Sequence, residues 1–426
     1  MPLPLVPHEA EKITTTDELK ASFHLLASPR FGTFWVASFL SSIGTWSQSV
    51  AEPWLLLSLG ASPFILGLDN FATNAPVWLL TLLGGVLADT RDRRSVITLF
   101  QSIQMLCPLA IAAFLFFSLP INPYWIIGLS VIVGVTDALS MPSFQSIVPS
   151  LVEHDQIARG LALNSTQMNL SRILGPALAG ILISSVGAFA CFAISAASYI
   201  PFIGAALFAL PRLDPKQRPK RQQHSLSKDM KKIAGFPELR VTLLIVLVNS
   251  VLCGPLIIFS PILIKDVFSG EVSHFSMAVG AFGAGGLMGG VALLGAAQSH
   301  HLRRFSLWAA LTYGLILACL GLTKIFWTVP LLMAMAGFCM AVSSIAANAT
   351  IQSKVEPELL GQSASLFALA TRGGLPLGSL MTGFSVEYIG IQNALLVNGI
   401  AAITLQLLIA AWGGVKSRHS RTKPPA

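Results

Sequence analysis

Charge is scarce in this chain. Only 11% of its 426 residues are Asp, Glu, Lys or Arg, against about 25% in an ordinary soluble domain. A soluble chain of this length would need two or three domains with wetted surfaces. Its 27 basic and 19 acidic side chains cannot coat them. A soluble enzyme, a disordered protein and a conventional nucleic-acid binder are excluded on that ground. Cysteine is equally sparse. Cys107, Cys191, Cys253, Cys319 and Cys339 lie inside apolar runs without a CxxC pair, so they read as small buried hydrophobes rather than a disulfide or metal framework. The eight histidines (His8, His24, His154, His224, His274, His300, His301 and His419) fall in tails, loops or run ends. No HExxH, GxSxG or nucleotide-binding loop occurs. An intramembrane enzyme would need a nucleophile–base pair or metal ligands within the runs. Direct ATP drive, cofactors and a resident metal are not expected.

Apolar sequence is what the chain has in abundance. It is 54% hydrophobic, with a mean hydropathy of +0.71. A bilayer-spanning helix needs about 20 mostly apolar residues. Twelve such stretches can be marked, at 32–57, 64–88, 95–118, 123–148, 160–184, 188–210, 240–264, 276–297, 304–322, 326–350, 361–385 and 390–413. They are continuous rather than alternating, which predicts helices and not a barrel. Residues 1–30 are polar and mixed in charge, without the apolar centre of a signal peptide. The first run is therefore expected to be a retained span.

Lys and Arg set the orientation. With twelve spans, 23 basic residues fall on the side that carries both termini, and only Lys265 and Lys324 fall opposite. Both termini are expected in the cytoplasm, in a multi-pass protein of the cytoplasmic (inner) membrane. The net charge of +8 is then topological, and no nucleic-acid partner is needed to explain it. The chain divides into a tail (1–30), a six-span half (31–210), a basic linker (211–238), a second six-span half (239–413) and a tail (414–426). The linker carries Lys216, Arg218, Lys220, Arg221, Lys228, Lys231 and Lys232, suited to lie near anionic headgroups. The halves look related. Gln145-Ser146 ends span four and Gln352-Ser353 ends span ten; Gly180–Gly187 and Gly383–Gly390 share a spacing of seven. Related six-span halves are a common build of secondary transporters.

The loop after span two reads Gly85-Val86-Leu87-Ala88-Asp89-Thr90-Arg91-Asp92-Arg93-Arg94. Gly85 would let the helix end pack closely on a neighbour. Asp89 can accept bonds from basic groups or a helix N-terminus. Together with Arg91, Arg93 and Arg94 it makes a cytoplasmic charge cluster able to latch one bundle to another. The loop resembles the signature of the major facilitator superfamily, Gly-x-x-x-Asp-Arg/Lys-x-Gly-Arg-Arg/Lys. Thr90 stands where a basic residue is usual, and Asp92 where Gly is usual. The loop after span eight keeps Arg303 and Arg304 without the acid. Further pieces are similar to the exporter branch that includes the bacterial enterobactin exporters and macrolide efflux proteins. They are Ser42-Ile43-Gly44-Thr45-Trp46, Gly67, Pro76, Pro149-Ser150-Leu151-Val152, Leu163-Asn164-Ser165, Gly175-Pro176 with Gly180, and Pro357-Glu358-Leu359-Leu360-Gly361 leading into Pro376-Leu377-Gly378. Span four lacks the arginine of many proton-coupled drug antiporters. Gly175, Pro176, Gly180, Pro376 and Gly378 are helix-packing and bending positions, and Gly285, Gly286, Gly289 and Gly290 mark a close contact or flexing point in span eight.

An ionisable group inside a span costs several kcal/mol and is a functional candidate by default. Five stand out: Glu52, Asp69, Asp137, Arg172 and Arg372. Asp137 lies about 21 Å from the outer end of its span at 1.5 Å per residue, and Arg172 at similar depth, so an Asp137–Arg172 pair is expected. The resemblance implies a fold in which spans one, four, seven and ten line a cavity. It nominates Trp46, Gln48 and Glu52, then Asp137 and Ser140, then Asn249, then Ser343 and Ser344. The expected function is alternating-access export of a small amphipathic molecule, drug- or siderophore-like, by proton antiport. The partners are that substrate, protons and membrane lipid, and the chain is expected to be a monomer. A lipid or lysophospholipid flippase and a solute importer are alternatives within the same fold. A non-transporting receptor or an intramembrane enzyme is the alternative from another class.

Overall fold

The computed structural model describes residues 22–145, 147–153, 156–210, 237–294, 302–355 and 360–421. Residues 1–21 of the first tail, nearly all of the linker, Ser146 and the Pro357-Glu358-Leu359 segment lie outside the described residues. Among the described residues the elements are helices, with no strand. Helix α1 is Phe31–Ser58. Helices α2 (Pro63–Asn74) and α3 (Pro76–Thr90) follow one another across Ala75, where Pro76 supplies no backbone N–H. Then come α4 (Arg93–Phe116), α5 (Pro123–Gln145), the single turn α6 (Val148–Leu151), α7 (Ile157–Ser185) and α8 (Ala188–Ala209).

After the linker, α9 (Pro237–Val248) runs into a π-helical turn at Asn249–Cys253, α10 (Leu256–Ile262) and a second π-helical turn at Leu263–Val267. Helices α11 (Val272–Leu294), α12 (Leu302–Leu322) and α13 (Thr328–Lys354) follow. The last, α14 (Leu360–Arg421), is broken at Gly390, whose φ of 78° and ψ of 161° are not helical. Eight of the described helical rods are long and apolar enough to cross a membrane by length and composition.

Glycine explains how these rods approach one another. Three glycines recur at an offset of 203 residues: Gly175 and Gly378, Gly180 and Gly383, Gly187 and Gly390. Each pair does the same work. Gly175 lies against Trp46 of α1, and Gly378 against Val251 of the first π turn. Gly180 lies against Ser276 of α11, where an added Cβ would sit 3.1 Å from its carbonyl oxygen. Gly383 lies against Pro63, with the corresponding distance 2.8 Å. Gly187 and Gly390 turn the chain with φ of 96° and 78°, a region that side chains rarely adopt. The spacing of seven therefore encodes a helix contact followed by a turn.

Other close contacts correct the sequence expectation. Gly84, not Gly85, carries the approach of α3 to α5: an added Cβ at Gly84 would sit 2.5 Å from the Ala138 oxygen, while Gly85 faces open space. Helical phase decides which of two adjacent glycines meets the neighbour. In α11, Gly285 and Gly289 press on Ala334 and Phe338 of α13, and Gly337 returns the contact to Phe282.

The apolar core is divided unevenly. One cluster joins the two sets of helices at the end of the bundle away from the chain termini. It includes Val50, Leu55 and Leu66 together with Phe259, Ile262 and Phe275. Trp54 stacks on Phe275 there, with ring centroids 4.9 Å apart. At the end near the termini the clusters are separate. Phe31, Phe34, Ile97, Ile147 and Phe202 form one, and Leu293, Leu302 and Ala346 another.

Candidate functional site in the helix interior

Four of the five intramembrane charges come together in pairs that depth alone did not predict. Glu52, six residues before the end of α1, and Asp69, six residues after the start of α2, lie at matching depth. Ser130 of α5 stands between them. Its Oγ is 2.9 Å from Glu52 Oε1 and 2.7 Å from Asp69 Oδ1. Asp69 is 6% exposed. Gln48, one turn from Glu52, donates to Glu52 Oε2 at 3.4 Å and accepts from Ser195 Oγ of α8 at 2.8 Å. The chain of polar contacts thus ties α8, α1, α5 and α2 together. It borders a cavity of about 80 Å³ whose lining includes Thr45, Ser49, Thr73 and Tyr199, large enough for a few waters.

The hydrogen-bond inventory of this cluster has a chemical consequence. A serine hydroxyl has one hydrogen. Ser130 can donate to one carboxylate only. Its second short contact becomes a hydrogen bond when the other carboxyl carries a proton and donates to the serine oxygen. The geometry therefore suits two acids holding one proton between them. Ser130 was absent from the sequence candidates. The available signal was a lone serine in the outer third of an apolar span, at the depth of two acids.

Asp137 has a different partner from the one expected. It pairs with Arg372 of α14, Oδ2 to Nη1 at 3.3 Å, with the side chains 42% and 33% exposed. Arg372 Nη1 also lies 3.5 Å from Met141 Sδ. The expected Asp137–Arg172 pair is not formed. Arg172 instead lies over the Trp46 ring, Cζ 5.3 Å from its centroid. The reason is packing. Gly175 seats α7 directly on Trp46, which turns Arg172, three residues earlier, toward that indole. Equal depth fixed the height of the two groups but not their azimuth. Trp46 is 36% exposed and Arg172 is exposed.

The nominated cavity residues divide. Trp46 is partly exposed beside Arg172. Gln48 lines the cavity inside the N-terminal helices. Ser140 is corrected: it is 3% exposed, and its hydroxyl turns back to the Asp137 carbonyl at 3.4 Å. Ser343 is corrected likewise. It is 1% exposed, and accepts from Asn249 at Oγ (3.4 Å) and from Ser306 at its carbonyl (3.1 Å). Asn249 also accepts from Gln406 at 3.4 Å, so it is a junction of three helices. Ser344 is half-buried.

In the loop after α3, Asp92 caps α4. Its Oδ2 accepts from the Ser95 N–H at 3.3 Å and the Ser95 hydroxyl at 3.0 Å, as an N-cap does. That gives the departure at this position a structural role. Arg91 is exposed, and Arg93 and Arg94 are half-buried. The Asp89 side chain, expected to take part in a latch, lies outside the described residues.

At the end away from the termini, Glu387 Oε2 accepts from Ser62 Oγ at 3.1 Å and from the Phe64 N–H at 3.2 Å. Ser379 Oγ donates to Asn70 Oδ1 at 3.1 Å. These bonds join α14 to the first turns of α2, beside the Gly383 contact.

Comparison with known proteins agrees with this architecture. The family model of transmembrane secretion effectors matches residues 20–422. The staphyloferrin A transporter of Staphylococcus aureus strain NCTC 8325 is 25% identical over 394 residues, covering 88% of this chain and 94% of that protein. Macrolide efflux protein A of Streptococcus pyogenes is 23% identical, covering 89% and 95%. The enterobactin exporter of Escherichia coli strain K12 is 24% identical, covering 94% and 95%. Among solved structures, the nucleoside transporter NupG aligns with a TM-score of 0.72 at 13% identity, covering 90% and 99%. The D-xylose–proton symporter aligns at 0.70 and 12%, covering 89% and 97%. At those identities the two structures speak to fold alone. The chain belongs to the transmembrane secretion effector family of the major facilitator superfamily, and is a multi-pass membrane transporter rather than an enzyme.

Proposed function

We propose that the protein exports a small amphipathic organic molecule across the cytoplasmic membrane by alternating access, driven by proton antiport. The span count supports a full transporter. The eight apolar rods become nine when α14 is divided at Gly390. Helices α1, the α2–α3 rod and α7 complete twelve, with both termini in the cytoplasm. The observation that carries the proton reading is Ser130 between Glu52 and Asp69. A pair of acids bridged by one hydroxyl can take up and release a proton by exchanging one hydrogen bond. Glu52 lies six residues from Trp46 on the same helix, about 9 Å along its axis. A protonation change at the cluster alters the bonds of Gln48 to Glu52 and Ser195, and so reaches the part of α1 that carries Trp46. The Asp137–Arg372 pair joins the two halves at that depth and would have to part and re-form as they rock.

Export is supported by the efflux functions named for two of the relatives above. The substrate is first found by growth of a deletion strain against a compound panel, with assay of secreted siderophore. Transport of the compound so found is then followed in proteoliposomes with and without a pH gradient. Glu52→Gln and Asp137→Asn are each expected to lose the acceleration by the gradient, by about tenfold or more. Full gradient-driven transport in both variants refutes the proton assignment. Accumulation in the opposite direction would make the protein an importer.

A further inference from the structure

We propose that the central site takes an organic anion, a carboxylate or similar acid attached to an apolar or aromatic body. This rests on the exporter reading and names the substrate class for it. Three charged side chains stand at this depth: Arg372 on α14 pairs with Asp137 on α5, and Arg172 on α7 rests on Trp46. The two guanidinium groups interact electrostatically with each other. Asp137 satisfies one of them, at 3.3 Å. Among the described residues no carboxylate lies within ion-pair distance of Arg172, which rests on the Trp46 ring at 5.3 Å.

The site therefore holds two cations against one anion, and all three groups are partly exposed rather than sealed in packing. The other two acids of the membrane interior, Glu52 and Asp69, are bound to Ser130 nearer the opposite end of the helices. A second negative charge brought in by a substrate would complete the balance. It could bridge Arg172 and Arg372 through paired N–H donors, while its body lies along the exposed part of Trp46. A cationic substrate would meet an excess of like charge.

Two matched ions test this: 4-phenylbutyrate and 4-phenylbutylammonium share a ring and a chain and differ in the sign of the head group. The full-length protein is placed in lipid nanodiscs. Its unfolding midpoint is followed with a thiol-reactive dye, since four of the five free cysteines are buried until unfolding. At millimolar concentration the anion is expected to raise the midpoint and the cation to leave it unchanged. Arg172→Gln and Arg372→Gln should each abolish the rise. The lysine variants Arg172→Lys and Arg372→Lys keep the charge and should retain it, which a folding defect would not do. Asp137→Asn removes the internal competitor and should lower the half-saturating concentration of phenylbutyrate by about fivefold.

A rise with phenylbutylammonium that Asp137→Asn removes would overturn the proposal and make Asp137 a cation site. No response to either ion would overturn it as well. The exporter reading stands or falls separately. Its failure is unaltered gradient-driven transport in the Glu52→Gln and Asp137→Asn variants, which the binding measurement does not require.

Discussion

Ser130 is the residue on which the acidic cluster turns. It is 4% exposed and touches both Glu52 and Asp69. Ser130→Ala removes a hydroxyl that bonds to acidic groups, so a loss of about 1–3 kcal/mol of stability is expected, measured by denaturant unfolding in detergent. The same variant should reduce the pH-gradient response of transport while leaving substrate binding intact. An unchanged gradient response would mean that the two acids work independently of the hydroxyl. Glycine 84 and glycine 85 offer a second comparison between neighbours. Gly84→Val forces a side chain onto the Ala138 and Leu139 backbone and is expected to cost roughly 1–3 kcal/mol, seen as low yield of folded protein. Gly85→Val meets open space and should fold normally. Equal behaviour of the two would place the α3–α5 contact elsewhere. At this scale the acids and arginines were legible as buried charges in apolar runs. Their partners were not. Depth follows from counting residues along a span, whereas a partner depends on which way each helix is rotated.

At the scale of elements, the paired glycines show what a helix contact needs. Gly175 and Gly378 allow α7 to meet α1 and α14 to meet the first π turn. The π-helical turns were not foreseen. Gly254 N–H bonds to the Asn249 carbonyl five residues back at 2.9 Å, just before Pro255, which has no N–H to continue the ladder. Tyr313 donates to the Cys253 carbonyl at 3.1 Å from within the core. Such turns recur at functional positions. Tyr313→Phe removes that buried hydrogen bond, and a loss of about 1–3 kcal/mol is expected, again by denaturant unfolding. No measurable change would mean that water or a neighbour replaces the phenol. The proline and glycine were visible in the sequence. The extra residue in the turn depends on α12 and α14 holding it in place.

Across the whole molecule, the shared apolar core at one end and the separate cores at the other describe a single state. A shared cluster joins the halves away from the termini and separate clusters lie near them, the arrangement expected of a transporter open to the cytoplasm under the proposed topology. Glu387 on Ser62 and Phe64 helps to hold the closed end. Glu387→Ala should shift the population toward opening at that end, read as a longer distance between spin labels placed at the exposed positions Ser58 and Tyr388. An unchanged distance distribution would mean that the glycine contacts alone hold it. The sequence by itself determined the solvent, the number and order of the apolar runs, the side on which the basic residues gather and the few charges left inside. These follow from local composition, because lipid demands an apolar surface and an internally bonded backbone wherever the chain crosses it. Only the tertiary structure decided that Asp137 meets Arg372, that Arg172 rests on Trp46, that Ser130 joins two acids and that Gly84 rather than Gly85 makes the contact. Each of those depends on the rotation of one helix against another, and that rotation is set by packing between residues far apart in the chain.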